Sequence, residues 1–317
     1  MSAVGIAKFV MKRFQSFPVF NKEKVGEMNE VFHHSIFLNS TAEQQKEIML
    51  KSSQSKYDSE IDFPFDNYFG FPLLPILRNK TALDLGSFTG GRTAAWFERY
   101  KLKRISGTDI NQIYIDAATQ FAKIRNINAD YRKGRGESIP YENDQFDVIL
   151  TFDVLEHVQN IRKTMDECYR VLKPGGKLIA VFPSYYQPLE HHLGRVTRLP
   201  GLQYVFSGKT QVKAYYEILK ERGDAAYWYR RDTPFLEEWE KGNTINGTTF
   251  YKFRKLINDQ NWKIWFQSRK TIGSTGRYVE KNKWIKIPSL LFIPFTYVPI
   301  IQDIVLHRIA VILEKEK

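Results

Sequence analysis

The chain has 317 residues and a mass of 37.2 kDa, enough for two domains or for one domain with sizeable additions. Its 43% hydrophobic and 15% aromatic content excludes disordered, collagen-like and low-complexity proteins, and its single cysteine, Cys168, excludes a disulfide-stapled secreted scaffold and a cysteine-based zinc cluster. The formal charge of +12, from 47 Lys and Arg against 35 Asp and Glu, favours acidic partners such as phosphates, nucleic acid or anionic lipid without choosing among them.

Residues 1–75 are expected to form a helical cap. At the start, Lys8, Lys12 and Arg13 interleave with Ile6, Phe9, Val10, Phe14 and Phe17, which reads as a basic amphipathic segment without the uninterrupted apolar run of a signal peptide. A polar helix follows with Ser40 or Thr41 as its N-cap, and then the Phe- and Pro-rich passage FPFDNYFGFPLLPILRN. Residues 76–183 change rhythm. The short β-like runs TALDLG, RISGTDI, ADYRKG, FDVILTF and KLIAVF alternate with helical patterns over Arg92–Lys101, Asn111–Arg125 and His157–Leu172, as parallel βαβ units of a doubly wound sheet do.

Residues 184–245 are dense in aromatic and charged side chains with weak periodicity, and read as an insertion that caps the acceptor side. The rhythm resumes over 246–317 with a Thr-capped helix, TTFYKFRKLINDQ, a strand, WKIWFQSRK, and a closing strand, HRIAVILEK. Between those strands lies the apolar stretch Trp284–Ile301, too broken by Lys286, Pro288, Pro294 and Pro299 for a spanning helix. Because Gln302 and Asp303 lead straight into the closing strand, it reads as a buried connection, with contact to a membrane surface as the other reading. Cys168 falls inside a helix pattern and reads as packing, and Pro174-Gly175-Gly176 as a tight turn.

The chemistry-bearing motif is LDLGSFTGG, from Leu83 to Gly91. It ends a strand and opens a helix, which puts a small-residue turn at the carboxyl edge of the sheet, where ligands of open α/β folds bind. Gly86 and Gly90 would let a nucleotide-like ligand approach the backbone, and the helix start supplies N–H donors. Asp109 ends the next strand at the spacing where a carboxylate accepts ribose hydroxyls.

With GTDI, GESIPYENDQFDVILTFDVLEHV and YRVLKPGGKLIAVFP, this motif resembles the successive motifs of class I S-adenosylmethionine-dependent methyltransferases over roughly Thr81–Pro183. The resemblance implies an α/β fold with a doubly wound seven-stranded, mostly parallel sheet and an antiparallel last strand, the final hairpin coming from Trp262–Arg269 and His307–Lys315. It implies that Asp84, Gly86, Ser87 and Gly90 surround the methionine part of S-adenosyl-L-methionine, that Asp109 takes the ribose hydroxyls, that Ile110 packs on adenine, and that Phe152 and Asp153 line the cleft near the sulfonium. Two positions depart from the family's pattern. Phe88 stands where a further glycine is usual, and Arg135 where an acidic residue near the adenine amine is common; Glu137 is the neighbouring substitute.

An oxygen acceptor needs a general base, and the candidates are His192 first, beside His191, and His157 second. No metal is expected, because no ligand cluster has the spacing. The acceptor is expected to be a small molecule, a glycan or a lipid-type hydroxyl. Nucleic acid is the alternative, since FDVL lacks the N/D-P-P-aromatic pattern that holds a base. An NAD-dependent oxidoreductase is disfavoured by Phe88 at the middle glycine position, and a non-catalytic binding module of the same fold is the remaining rival. The expected location is the cytoplasm, with peripheral contact at the inner membrane surface as a second expectation.

Overall fold

A computed structural model describes residues 2–14, 41–189, 193, 196–197, 199–221, 246–276, 279 and 282–316. The contacts divide the chain into two units, 1–48 with 185–247 and 49–184 with 248–317. In the first, helix α1 (Ala3–Arg13) buries Ala7 and Met11 in one apolar cluster with Tyr215 and Ile218 of a second helix, Gly208–Glu221. Lys8 and Lys12 of α1 are paired with Glu217 and Glu221, so the basic start of the chain is met by the protein's own acids. Helix α2 (Ala42–Asp62) runs from the first unit into the second. Thr41 caps it in a reciprocal box, its hydroxyl accepting from Gln44 N–H while Gln44 Oε1 accepts from Thr41 N–H.

The second unit holds a seven-stranded sheet. In chain order it comprises β1 (Thr81–Leu85), α3 (Gly91–Tyr100), β2 (Arg104–Asp109), α4 (Gln112–Ile124), β3 (Ala129–Lys133), β4 (Phe146–Phe152), α5 (Ile161–Val171) and β5 (Leu172–Phe182). The helix Gly208–Glu221 of the first unit is α6 by chain order, and the sheet unit continues with α7 (Phe250–Asp259), β6 (Trp262–Gln267), α8 (Ile301–Val305) and β7 (Ile309–Lys315). The strand order is β3-β2-β1-β4-β5-β7-β6, parallel except for β7, which is antiparallel to both neighbours, as expected.

Successive residues of each central strand serve opposite faces. Leu83, Phe146 and Phe182 join Phe253 of α7 in one core, whereas Ala82, Ile105 and Val148 join Trp96 of α3 in another. Covering both faces explains why these strands read as nearly unbroken apolar runs. Cys168 is buried in the first of these cores.

Two expectations change, at the start of α5 and at Trp284–Ile301, and the insertion gains detail. Helix α5 starts at Ile161, where Asn160 Oδ1 accepts from Lys163 N–H, so His157 lies in the turn ahead of the helix and not at its start. The weakly periodic insertion contains an ordered helix, α6. Trp284–Ile301 is not a buried connection: Trp284, Ile287, Leu291 and Ile300 are each 68–74% exposed.

The front of the sheet unit is held by a close approach. Ser53 of α2 donates to Thr89 C=O at 2.7 Å, and a Cβ on Gly91 would sit 1.9 Å from Ser53 O. Gly91→Ala is therefore expected to cost about 1–3 kcal/mol, read as a lowered denaturation midpoint. An unchanged midpoint would contradict this packing.

Candidate active site

The turn between β1 and α3 sits at the carboxyl edge, and hydrogen bonds tie it to β2. Gly86 N–H and Ser87 N–H both donate to Thr108 C=O at 2.9 Å, and Phe88 N–H donates to Asp109 Oδ2 at 3.1 Å. Asp109 Oδ1 accepts from Asn111 N–H at 3.0 Å, which leaves the ionised carboxylate acceptor capacity for further donors. Gly86 and Gly90 have φ of +82° and +77°, and the space of each missing Cβ is filled by the protein itself, by Val154 and by Ala118 of α4. These glycines thus serve the turn's own closure. Ser87 is 4% exposed and its Oγ is a buried polar atom without a hydrogen-bond partner.

Phe88 takes a left-handed φ of +49°, a conformation costing a non-glycine residue roughly 1–2 kcal/mol. Its ring packs on Tyr114 at 4.5 Å, with Lys56 over its face, so the missing glycine is accommodated by side-chain packing on α4. Arg135 and Glu137 pair at 3.7 Å, and Glu137 Oε1 already accepts from Gln159 and Asn160 N–H groups ahead of α5. Ile110 is half-buried beside Asp109.

Three carboxyl groups lie at this edge, Asp84 and Glu60 buried and Asp109 half-buried. Asp84 of β1 is 3% exposed and accepts from the Thr93 hydroxyl, and burial pushes it up to about 7 against the pull of Thr93 and Arg92. Burial likewise raises Asp109 to about 6, although three backbone N–H groups favour its ionised form. Glu60 of α2 rises to about 7 for the same reason; it accepts from Phe65 N–H and lies 3.4 Å from Arg92 Nε. Asp84 feels Asp109 and Glu60 as like charges and Arg92 as the opposing cation.

At the end of β4, Asp153 also adopts a positive φ, +57°, and pairs with Arg308. Phe152 packs beside Tyr68 and under the Arg92 guanidinium, 4.1 Å from the ring centre. His307 stacks on Tyr68 and is held neutral at pH 7, its pKa lowered to about 4 by burial and by Arg308. His157 lies in the turn after β4 with Nε2 3.8 Å from Glu156 Oε1. His191 and His192 lie outside the described residues. The structure therefore brings Asp84, Gly86, Ser87, Gly90 and Asp109 together, with Phe152 and Asp153 on the adjacent strand, while Glu137 is engaged with the start of α5.

Sequence reasoning missed Glu60, Arg92, Thr93, Tyr68, His307 and Arg308. Arg308 had a topological signal, because an antiparallel last strand begins at the edge where the parallel strands end. Glu60, in a uniformly polar helix, had none.

Residues 83–180 match the protein family described as a methyltransferase domain. The uncharacterized methyltransferase YcgJ of Bacillus subtilis is 30% identical over 37% of this chain and 47% of its own length. The ubiquinone/menaquinone biosynthesis C-methyltransferase UbiE of Hydrogenovibrio crunogenus is 36% identical over 35% of this chain and 45% of its own. A ubiquinone biosynthesis O-methyltransferase of Coxiella burnetii is 28% identical over 41% and 53%. The chain thus spans about half the length of the curated relatives it matches. The matched segment, which holds β1 to β5, is similar to a methyltransferase domain, and the seven-stranded order with antiparallel β7 is completed by residues outside the match.

An acid whose pKa is higher in the fold than in the unfolded chain binds more protons when folded, so it costs stability as pH rises from about 4 through 7. Asp84→Asn removes that cost. The variant is expected to be more stable than the parent at about pH 8, with the gain shrinking towards about pH 5, by denaturant titration without ligand. An equal difference at both pH values would contradict the burial account.

Proposed function

We propose that the chain transfers a methyl group from S-adenosylmethionine to an oxygen of a small-molecule acceptor of sugar or lipid-linked type. The observation that carries the reading is the hydrogen-bonded join of the Gly86–Gly90 turn to Asp109, at the point where β1 lies between β2 and β4 and the crevice of a doubly wound sheet opens. The residues present fit the cofactor. Ser87 Oγ lacks a partner, Asp109 retains acceptor sites, and the edge holds more buried acid than base, which favours a ligand with a positive centre. The names of two relatives, a C- and an O-methyltransferase of ubiquinone biosynthesis, support a small-molecule acceptor.

When bound, the cofactor supplies an activated methyl group open to in-line displacement. In this reading Asp109 accepts the ribose hydroxyls, Ile110 packs on the adenine, and Asp84, Gly86, Ser87 and Gly90 hold the methionine part. Glu137 is the acid assigned to the adenine amine, through the oxygen that also faces Arg135. Phe152 shields the reacting centre from water, and Asp153, fixed by Arg308, sets the wall of the cleft. His157 Nε2 is the described candidate to accept the acceptor's hydroxyl proton, with Glu156 placed to stabilise the imidazolium that forms. His192 remains a candidate from the first unit's sequence.

Titration calorimetry with S-adenosylhomocysteine beside NADH tests the reading. The homocysteine compound is expected to bind and NADH to give no heat. Asp109→Ala is expected to weaken binding at least about tenfold, since charge-assisted hydrogen bonds are worth roughly 1.5–3 kcal/mol, with a cooperative thermal transition retained to show that the variant is folded. Absence of binding by the parent chain would overturn the proposal.

A further inference from the structure

The segment between β6 and β7 has its polarity inverted. Ser289, Thr296, Gln302 and Asp303 are buried, at 3%, 0%, 7% and 1% exposure, whereas Leu291, Ile300, Trp284 and Ile287 are 74%, 70%, 68% and 68% exposed. More than half of the large exposed apolar side chains among the described residues fall in this one segment. The buried polar groups anchor it. Asp303 accepts from the Ser184 hydroxyl and from Phe250 N–H, Thr271 donates to Ser289 C=O at 3.0 Å, and Arg269 donates to Thr296 C=O. The outward apolar face is thus built and fixed.

The backbone confirms that this face is imposed. It runs as separate short turns, Lys283–Ile285, Lys286–Ser289, Leu290–Phe292 and Pro294–Tyr297, before α8. Ile300, a β-branched residue, sits at φ +71° and ψ −52°, and Ile301 N–H closes a tight turn onto Pro299 C=O at 2.9 Å. Such a residue costs on the order of 1–3 kcal/mol and persists only where the surroundings enforce it.

We infer that residues 283–304 form a docking face that seats the carboxyl edge of the sheet on an anionic lipid bilayer. Charge selects this occupant. Lys283 is exposed beside the apolar side chains, and Asp303, the only acid from 283 to 304, is buried, so the face offers positive charge and hydrocarbon together. Trp284 and Tyr297 add the amphipathic rings that favour the headgroup level. A second copy of this +12 chain would bring the same cations to the same face. Among the described residues no helix is long and apolar enough to cross a membrane, so the contact is interfacial. The segment joins the carboxyl end of β6 to the start of β7, the same edge that carries Asp109 and Asp153. The inference stands apart from methyl transfer, since docking needs no turnover.

Flotation of the 317-residue chain with vesicles tests it. Binding is expected to phosphatidylcholine vesicles containing about one third phosphatidylglycerol and to be weaker on phosphatidylcholine alone. Ile287→Asp with Leu291→Asp, both at exposed positions, is expected to lower the partition at least about tenfold with an unchanged melting temperature. Lys283→Gln is expected to weaken the preference for anionic vesicles. Failure of the parent chain to float with either vesicle, or retained binding by the Asp variant, would overturn the inference. So would a dimer in sedimentation velocity that the Asp variant dissociates, which would assign the face to a second copy.

Discussion

The sheet unit depends on burying carboxyl groups where its strands end. Asp84, Asp109 and Glu60 converge from β1, β2 and α2, and one guanidinium, Arg92, faces them. Desolvation is the leading cause of each raised pKa, so the ligand-free edge carries a standing cost once the acids ionise. Stability is spent there on a local excess of negative charge. A ligand with a cationic centre recovers that cost on binding, which is the physical link between the core of the fold and the proposed chemistry.

The last strand completes the same edge from the other direction. Because β7 runs antiparallel, the residues just ahead of it arrive at the end of β4, where Arg308 meets Phe152 and Asp153 and His307 stacks on Tyr68. The segment leading into β7 turns its polar groups inward to Ser184, Phe250 and Thr271 and its apolar groups outward. One stretch of chain thereby supplies Arg308 to Asp153 and an outward apolar face beside it in sequence.

Much of this was legible in the sequence where the determinant is local. The βα rhythm, the turn from Gly86 to Gly90 and Asp109 at a strand end are short-range patterns, and the structure places them as the patterns imply. The close neighbours of Gly86 and Gly90, Val154 and Ala118, come from other elements, and no local pattern shows them. The start of α5 was misplaced by four residues, since LEHV continues an apolar pattern that the cap at Asn160 interrupts. Arg308 and Asp153 are 155 residues apart, and no local pattern announces such a pair. The apolar stretch after Trp284 reads as buried because hydropathy gives a side chain's preference and not the medium it faces.

In the proposed reading, the acids at the carboxyl edge favour a positively charged ligand over a neutral one. Calorimetric affinities for S-adenosylmethionine and S-adenosylhomocysteine, measured from about pH 5 to about pH 8, test it most directly, because the two differ at the sulfonium charge. The account predicts that affinity for the sulfonium compound rises roughly tenfold or more over that range, as Asp84, Asp109 and Glu60 ionise, while affinity for the uncharged thioether changes much less. Parallel pH profiles for the two compounds would contradict it.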